Sequence, residues 1–280
     1  MLILLNRIIL TIFISAVSFS ASSEEMNTNY LKTDWSFKGI FGTFDRASLQ
    51  RGYQVYQEVC SGCHSVQHLS YRNLSEKGGP EFSVEEAKAI AAQFEVEDGP
   101  NSDGEMFMRP GRLSDTFVKP YPNVEASTAA NGGAYPPDMS VLTKARKGGA
   151  NYIYSLLLGY EEAPTGFELD EGVYYNKYMP GNKIKMTAPL SDGLVEYSDG
   201  TPSTRAQMAK DVTAFLVWVA EPHLESQHRM GFKSIIYLII LFILVYMSKQ
   251  KVWSRFDSKK EPEEETFDKV ERAVTEYEGE

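Results

Sequence analysis

The stretch Val59–Ser65 (VCSGCHS) contains the only two cysteines of the 280-residue chain. Two residues separate these cysteines, and a histidine follows the second one directly. Four kinds of site use a Cys-x-x-Cys pair: a disulfide, half of a zinc site, a thiol redox centre, and covalent attachment of a c-type haem. The context of the motif decides between them.

Three of these alternatives leave part of the motif unexplained. A disulfide between residues three apart closes a very small loop and stabilises little. A structural zinc site takes four ligands, usually from two such pairs, and His68, His223 and His228 form no second pair near the motif. A thioredoxin-like centre requires a βαβ context, which the sequence does not show.

The haem interpretation accounts for all three residues of the motif. Cys60 and Cys63 can form thioether bonds to the two vinyl groups of a porphyrin. Positions i, i+3 and i+4 of a helix share one face, so His64 would then direct its imidazole at the iron. We therefore predict one covalently bound haem c, attached at Cys60 and Cys63 and ligated by His64.

Two apolar stripes at helical spacing lie on either side of the motif. The first follows Asp45, a candidate N-cap, and the second is predicted to begin at Thr201-Pro202 and to end at Glu221-Pro222. The stripes are Leu49, Tyr53, Tyr56 and Cys60, then Met208, Val212, Phe215 and Val219. The chain between them is rich in Gly, Pro and Asn. This pattern predicts a mainly α, class I-like c-type cytochrome domain with long loops.

Both ends of the chain carry apolar runs. Met1–Phe19 contains a single charge, Arg7, and small residues follow it. This order predicts a secretory signal peptide over residues 1–22, with a retained membrane anchor as the alternative. Ser234–Ser248 has no charge, and a membrane span takes about 20 residues. We predict an exported domain over 24–228 and a transmembrane helix over 231–249.

The charges around the second run predict its orientation. Lys249, Lys251 and Arg255 follow the run, and the positive-inside rule places such residues in the cytoplasm. Residues 250–280 are then a cytoplasmic tail, first basic and then acidic, and the haem domain is periplasmic. A short leader with one basic residue favours a bacterial inner (cell) membrane over a mitochondrial targeting sequence.

The chain has a formal net charge of −10, which makes nucleic acid an unfavourable partner and favours cationic ones. Acidic residues concentrate in Glu81–Glu105, where Lys88 is the only basic residue. A solvated helix or loop face is one interpretation of this segment. A docking surface for a basic protein is the other.

The ligand on the second side of the iron is not settled by the motif. A Met or His at that position indicates electron transfer, whereas an open position indicates small-molecule binding or catalysis. The candidates are Met106, Met108, Met139, Met179, Met186, Met208 and His68. Methionine is also a common core residue, so these residues alone do not identify the ligand.

Two long stretches resemble the cytochrome c1 family. They are FMRPGRLSDTFVKPYPNVEASTAANGGAYPPDMSVLTKARKGGANYIYSLLLGY (Phe107–Tyr160) and YYNKYMPGNKIKMTAPLSDGLVEYSDGTPST (Tyr174–Thr204). The resemblance runs from about Trp35 to Trp253. It implies that Met186, rather than Met179, is the sixth ligand. It also implies that Asn131, Arg146 and Tyr152 contact the haem propionates.

The resemblance further implies a function in the respiratory cytochrome bc1 complex. The expected partners are cytochrome b, a Rieske iron–sulfur subunit that donates electrons, and a c-type cytochrome that accepts them. The chain would be an electron carrier within ubiquinol–cytochrome c oxidoreductase, with no catalytic residue of its own. The acidic tail Glu261–Glu280 is longer than the resemblance leads us to expect.

Two other functions remain open at this point. One is a free-standing, membrane-anchored cytochrome that carries electrons to a terminal oxidase. The other is an enzyme or sensor in which the distal methionine leaves the iron.

Overall fold

The computed structural model describes residues 29–257, together with residues 269, 271 and 272. The predicted signal peptide, residues 1–22, and most of the predicted tail lie outside the described residues. The helices are α1 (Arg46–Val55), α2 (Val84–Ala91), α3 (Val124–Ala130), α4 (Leu142–Ala145), α5 (Ala150–Leu158), α6 (Arg205–Ala220) and α7 (Leu224–Asp257). A π-helical turn at Tyr56–Cys60 continues α1, and 3₁₀ turns lie at Tyr71–Ser75 and Pro180–Asn182.

The strands are short and form two antiparallel pairs. They are β1 (Glu95–Asp98) with β2 (Phe107–Pro110), and β3 (Tyr174–Tyr175) with β4 (Lys183–Ile184). Long loops connect the elements. The predicted mainly α fold with long loops and an apolar C-terminal helix is confirmed.

Helices α1 and α6 pack against each other at very short range. The predicted cap is confirmed, since Asp45 accepts hydrogen bonds from the backbone N of Ala47 at the start of α1. A Cβ on Gly52 would lie 2.1 Å from the carbonyl oxygen of Asp211 in α6. The two backbones therefore meet at Gly52, and the ring of Tyr53 packs 5.8 Å from that of Phe215.

A buried charge network holds this crossing in place. Asp211 is fully buried and accepts hydrogen bonds from Ser48 Oγ (2.7 Å), Arg51 Nε (2.9 Å) and Gln207 Nε2 (3.0 Å). Arg51 also pairs with Asp199 at 2.7 Å. A buried carboxylate is tolerated only when its lone pairs are satisfied, so this network requires α1 and α6 to keep one relative position.

The second predicted helix begins later than the sequence suggested. Helix α6 starts at Arg205, and its cap is Thr204, whose Oγ1 accepts from Gln207 N. The predicted start at Thr201-Pro202 is wrong, because residues 201–204 are not helical. Thr201 belongs to the turn before the helix, where its backbone N donates to Asp199 Oδ1 at 2.9 Å. The predicted end at Glu221 is confirmed.

Helix α7 is long and apolar enough to cross a membrane. Its range, Leu224–Asp257, includes the predicted span 231–249. None of its apolar window is buried inside the described part of the protein. That exposure argues against a core helix and fits a membrane anchor.

The close approach at Gly52 gives a prediction. We expect Gly52→Ala to lower the free energy of unfolding by about 1–3 kcal/mol, the usual cost of overpacking, because the new methyl group would overlap the Asp211 carbonyl. Thermal unfolding followed by circular dichroism measures the effect. Gly231→Ala is the matched control, since Gly231 is also helical and its Cβ would meet nothing within 4 Å. An unchanged midpoint in Gly52→Ala would contradict this packing.

Candidate haem site

The motif lies on a single turn at the end of α1. The backbone N of Ser61 donates to Tyr56 O at 2.8 Å, which forms the π-helical turn. The backbone N atoms of Cys63 and His64 then both donate to Cys60 O, at 3.1 and 2.9 Å. This turn places Cys60, Cys63 and His64 together. The two sulfur atoms are not bonded to each other.

The imidazole of His64 is held by a distant segment of the chain. Its Nδ1 lies 2.8 Å from the carbonyl oxygen of Pro137. A carbonyl can only accept, so Nδ1 carries the hydrogen and Nε2 keeps a free lone pair. Burial lowers the pKa of His64, against the opposing effects of the Pro137 carbonyl and the Asp138 charge. A neutral ring oriented by a carbonyl is the usual form of a metal-binding histidine.

The same segment also fixes the residues that follow His64. Ser65 Oγ donates to Asp138 Oδ2 at 2.7 Å, and Met139 N donates to Ser65 O at 2.8 Å. Burial would raise the pKa of Asp138, but hydrogen bonds from Ser140 and Ser65 outweigh it and hold the pKa below its ordinary value. The charged Asp138 carboxylate therefore holds residues 137–139 against the motif. Sequence reasoning missed Pro137 and Asp138, although both lie in the quoted stretch Phe107–Tyr160.

The Cys60 thiol does not have the character of a redox-active cysteine. Burial, with a smaller contribution from Cys63, raises the pKa of Cys60 to about 12. Redox-active cysteines show the opposite shift, because the thiolate is their reactive form. Two unpaired thiols beside a neutral imidazole with a free Nε2 are, in contrast, the donor set that a c-type haem requires. The residues present therefore fit this cofactor.

A second group of candidate residues lies around α5. Tyr160 donates its hydroxyl hydrogen bond to the carbonyl oxygen of Met186 at 3.1 Å. Tyr152 donates to Met179 Sδ at 3.6 Å. Burial, followed by the nearby Tyr152, raises the pKa of Tyr160. Met179 and Met186 are both half-buried, and each is bonded to one member of the pair Tyr152 and Tyr160. This geometry does not show which methionine is the iron ligand.

The other candidate ligands lie in less suitable places. Met106 and Met108 are exposed, near and on the β1–β2 hairpin, and Met208 is fully buried in α6. Met139 is bonded through its backbone to Ser65, on the His64 side of the site. His68 is exposed.

Arg146 and Tyr152, two of the predicted propionate contacts, lie close together. Arg146 follows α4 and lies close enough to Tyr152 to lower the pKa of its hydroxyl, although burial has the larger effect and the net pKa is raised. Arg146 is exposed. One of its N–H groups donates to Ala145 O at 3.4 Å, and the guanidinium has further donors that can bind an anionic group.

Asn131, the third predicted propionate contact, ends α3. Its Nδ2 donates to Ser127 O at 2.7 Å. Ser127 and Cys63 both line a cavity of about 90 Å³, which places α3 beside the motif. A Cβ on Gly133 would lie 3.8 Å from Lys185 Nζ. The loop after α3 therefore approaches the segment that contains Met186.

The acidic segment Glu81–Glu105 is partly structural. Glu81 pairs with Arg46 at 2.9 Å, Glu86 completes the capping box of α2 with Ser83, and Asp98 pairs with Arg109. The other five acidic residues of the segment are exposed, and the described contacts include no ion pair for them. They are Glu85, Glu95, Glu97, Asp103 and Glu105.

Comparison with known proteins identifies related chains. A model described as the Cytochrome C1 family matches residues 35–256. A protein named cytochrome c1 from Rhodospirillum rubrum is 44% identical, over 85% of this chain and 92% of its own length. The mitochondrial heme protein cytochrome c1-2 from Solanum tuberosum is 49% identical, over 86% of this chain and 92% of its own length.

A longer relative is also similar. The protein named cytochrome b/c1 from Bradyrhizobium diazoefficiens is 50% identical over 79% of this chain. The match covers 35% of that relative, so this chain spans only about a third of its length.

The contact between Tyr160 and Met186 gives a prediction that needs no cofactor. Tyr160→Phe removes the hydrogen bond to the Met186 carbonyl, which is worth about 0.5–1.5 kcal/mol. We expect several-fold faster amide hydrogen exchange in a peptide spanning Lys183–Met186. Tyr154→Phe is the control, because Tyr154 is on α5 and packs against Trp35 instead. Equal exchange in the two variants would contradict the assigned role of Tyr160.

Proposed function

Because the chain belongs to the cytochrome c1 family, we propose that it is the haem-carrying electron-transfer subunit of a cytochrome bc1 complex. The observation that carries this proposal is the turn Cys60–His64, with two unpaired thiols and an imidazole oriented by Pro137. The haem, when bound, supplies reversible one-electron chemistry at its iron.

The chain's own residues would bind and tune that cofactor. Cys60 and Cys63 would tether the porphyrin, and His64 Nε2 would coordinate the iron. Met186 is the proposed sixth ligand, on the basis of the resemblance in Tyr174–Thr204. A thioether and an imidazole together would raise the reduction potential of the iron, and the two protein ligands would keep small molecules off the metal. Asn131, Arg146 and Tyr152 would contact the propionates.

The proposed electron path runs from a Rieske iron–sulfur subunit to a c-type cytochrome, with cytochrome b as a further partner. In this proposal the chain transfers electrons only, and it serves ubiquinol–cytochrome c oxidoreductase as a carrier. Helix α7 would anchor it in a bacterial cell membrane. The haem domain would then be periplasmic and the C-terminus cytoplasmic.

The choice of sixth ligand can be tested with a matched pair of variants. In the full-length, haem-loaded protein, we expect Met186→Leu to remove the methionine-to-iron charge-transfer band and to let the reduced form bind carbon monoxide. Met179→Leu should retain the band and exclude carbon monoxide. The reverse pattern would assign Met179 as the ligand. Carbon monoxide binding by the unaltered protein would favour the enzyme or sensor alternative.

If a cationic cytochrome docks on Glu81–Glu105, the rate of electron transfer to it should depend on the charge of this segment. Electron-transfer encounters are small, transient and steered by electrostatics. We expect combined Glu95→Lys and Glu97→Lys to slow reduction of a cationic cytochrome c about tenfold at low ionic strength, and to flatten the salt dependence. Asp98 is left unchanged, because it pairs with Arg109 in the hairpin.

The control for this experiment has the same change in charge at another site. Glu168→Lys with Glu171→Lys alters two exposed residues in the loop between α5 and β3. Equal rates in the two double variants at low salt would contradict docking on Glu81–Glu105.

A further inference from the structure

The loop that precedes α1 projects two apolar side chains into solvent. Ile40 is 76% exposed and Phe41 is 75% exposed. The aromatic residues on both sides of this pair, Phe37 and Phe44, are buried in the core. An adjacent pair of large exposed apolar side chains on an otherwise buried aromatic segment marks an interaction surface.

This loop, residues 36–43, is firmly held. Thr43 N donates to Ser36 O at 3.0 Å and closes the loop. A Cβ on Gly42 would lie 2.2 Å from the Phe37 carbonyl oxygen, so the two backbone segments are in direct contact. The Phe37 and Phe44 rings pack with their centroids 5.4 Å apart. The exposed tip is therefore presented by a fixed base.

The loop also follows α7 toward the apolar part of that helix. Glu225 Oε1 accepts from Phe44 N at 2.9 Å, and His228 Nδ1 lies 3.2 Å from Gly42 O. The rings of Phe232 and Phe41 then lie 6.4 Å apart.

Positions 225, 228 and 232 share one face of a helix. The loop therefore contacts this face at three successive positions. The last of them, Phe232, lies at the start of the predicted span 231–249.

Three basic residues lie close in sequence to Ile40 or to Phe232. Lys38, Arg229 and Lys233 are all exposed beside the loop or next to Phe232. Basic side chains beside an apolar helix surface can bind anionic headgroups, and their apolar stems can lie along the membrane surface. Two exposed apolar residues that contact the start of a membrane helix, with basic residues next to them in sequence, fit a lipid surface better than a protein.

We propose that Ile40 and Phe41 insert into the interfacial layer of the lipid bilayer next to α7. The loop is then a second membrane contact, which together with the Glu225 and His228 bonds sets the orientation of the haem domain above the membrane. The inference rests on the proposed role of α7 as the anchor.

The test uses the full-length chain in bilayer nanodiscs containing phosphatidylcholine and phosphatidylglycerol. Nitroxide labels are attached to Ile40→Cys, Val124→Cys and Ile240→Cys in separate samples. Relaxation by oxygen, which is enriched in lipid, is compared with relaxation by a water-soluble nickel chelate. Val124 is an exposed control that lies far from α7 in sequence, and Ile240 reports on the predicted span. The unaltered chain, treated with the same label, gives the background labelling of Cys60 and Cys63.

We expect Ile40 and Ile240 to show the preference for oxygen that marks lipid, and Val124 to show the preference for nickel chelate that marks water. A water signal at Ile40 with a lipid signal at Ile240 would overturn the loop proposal alone. A water signal at both would overturn the anchor as well. A label at Ile40 shielded from both reagents in the purified native assembly would also overturn the proposal, because a protein would then cover the loop.

Discussion

The hydrogen bond between His64 Nδ1 and the Pro137 carbonyl is the contact on which the organisation of the site depends. It joins two residues 73 positions apart and fixes which nitrogen of the ring can bind a metal. The loop that provides the carbonyl is itself held, since Asp138 accepts from Ser65. The orientation of the proposed iron ligand is therefore set by tertiary structure as well as by the motif.

The rest of the fold supports this contact. The close approach of Gly52 to Asp211 brings α6 against α1 directly before the motif. After Pro137 the chain continues through α4 to Arg146 and then α5, so one continuous segment runs from the His64 side of the site to Tyr152. The hydrogen bond from Tyr160 then reaches the Met186 segment. The candidate site residues on these segments are therefore held by contacts between widely separated parts of the sequence.

Local patterns were readable in the sequence, and long-range contacts were not. The apolar stripe of α1, its Asp45 cap and the apolar run in α7 depend on residues a few positions apart, so their spacing predicts them. The predicted start of α6 is wrong because two threonines precede the helix, and the local pattern does not show that Thr204 rather than Thr201 is the cap. The partnership of Gly52 and Ser48 with Asp211 joins residues about 160 positions apart, and no local pattern reveals it. Pro137 likewise acquires its role only from folding. The choice of Met186 over Met179 came from family resemblance, because both methionines lie beside tyrosines of the same pair.

The central claim is that this chain is the haem subunit of a cytochrome bc1 complex, and one measurement tests it most directly. The tagged protein is purified from its native membrane in mild detergent, and its reduced-minus-oxidised visible spectrum is recorded together with quinol-dependent reduction of cytochrome c. The account predicts that b-type haem bands accompany the c-type band and that the sample catalyses the reaction. A c-type band alone, without that activity in several gentle detergents, would contradict it and would favour a free-standing electron shuttle.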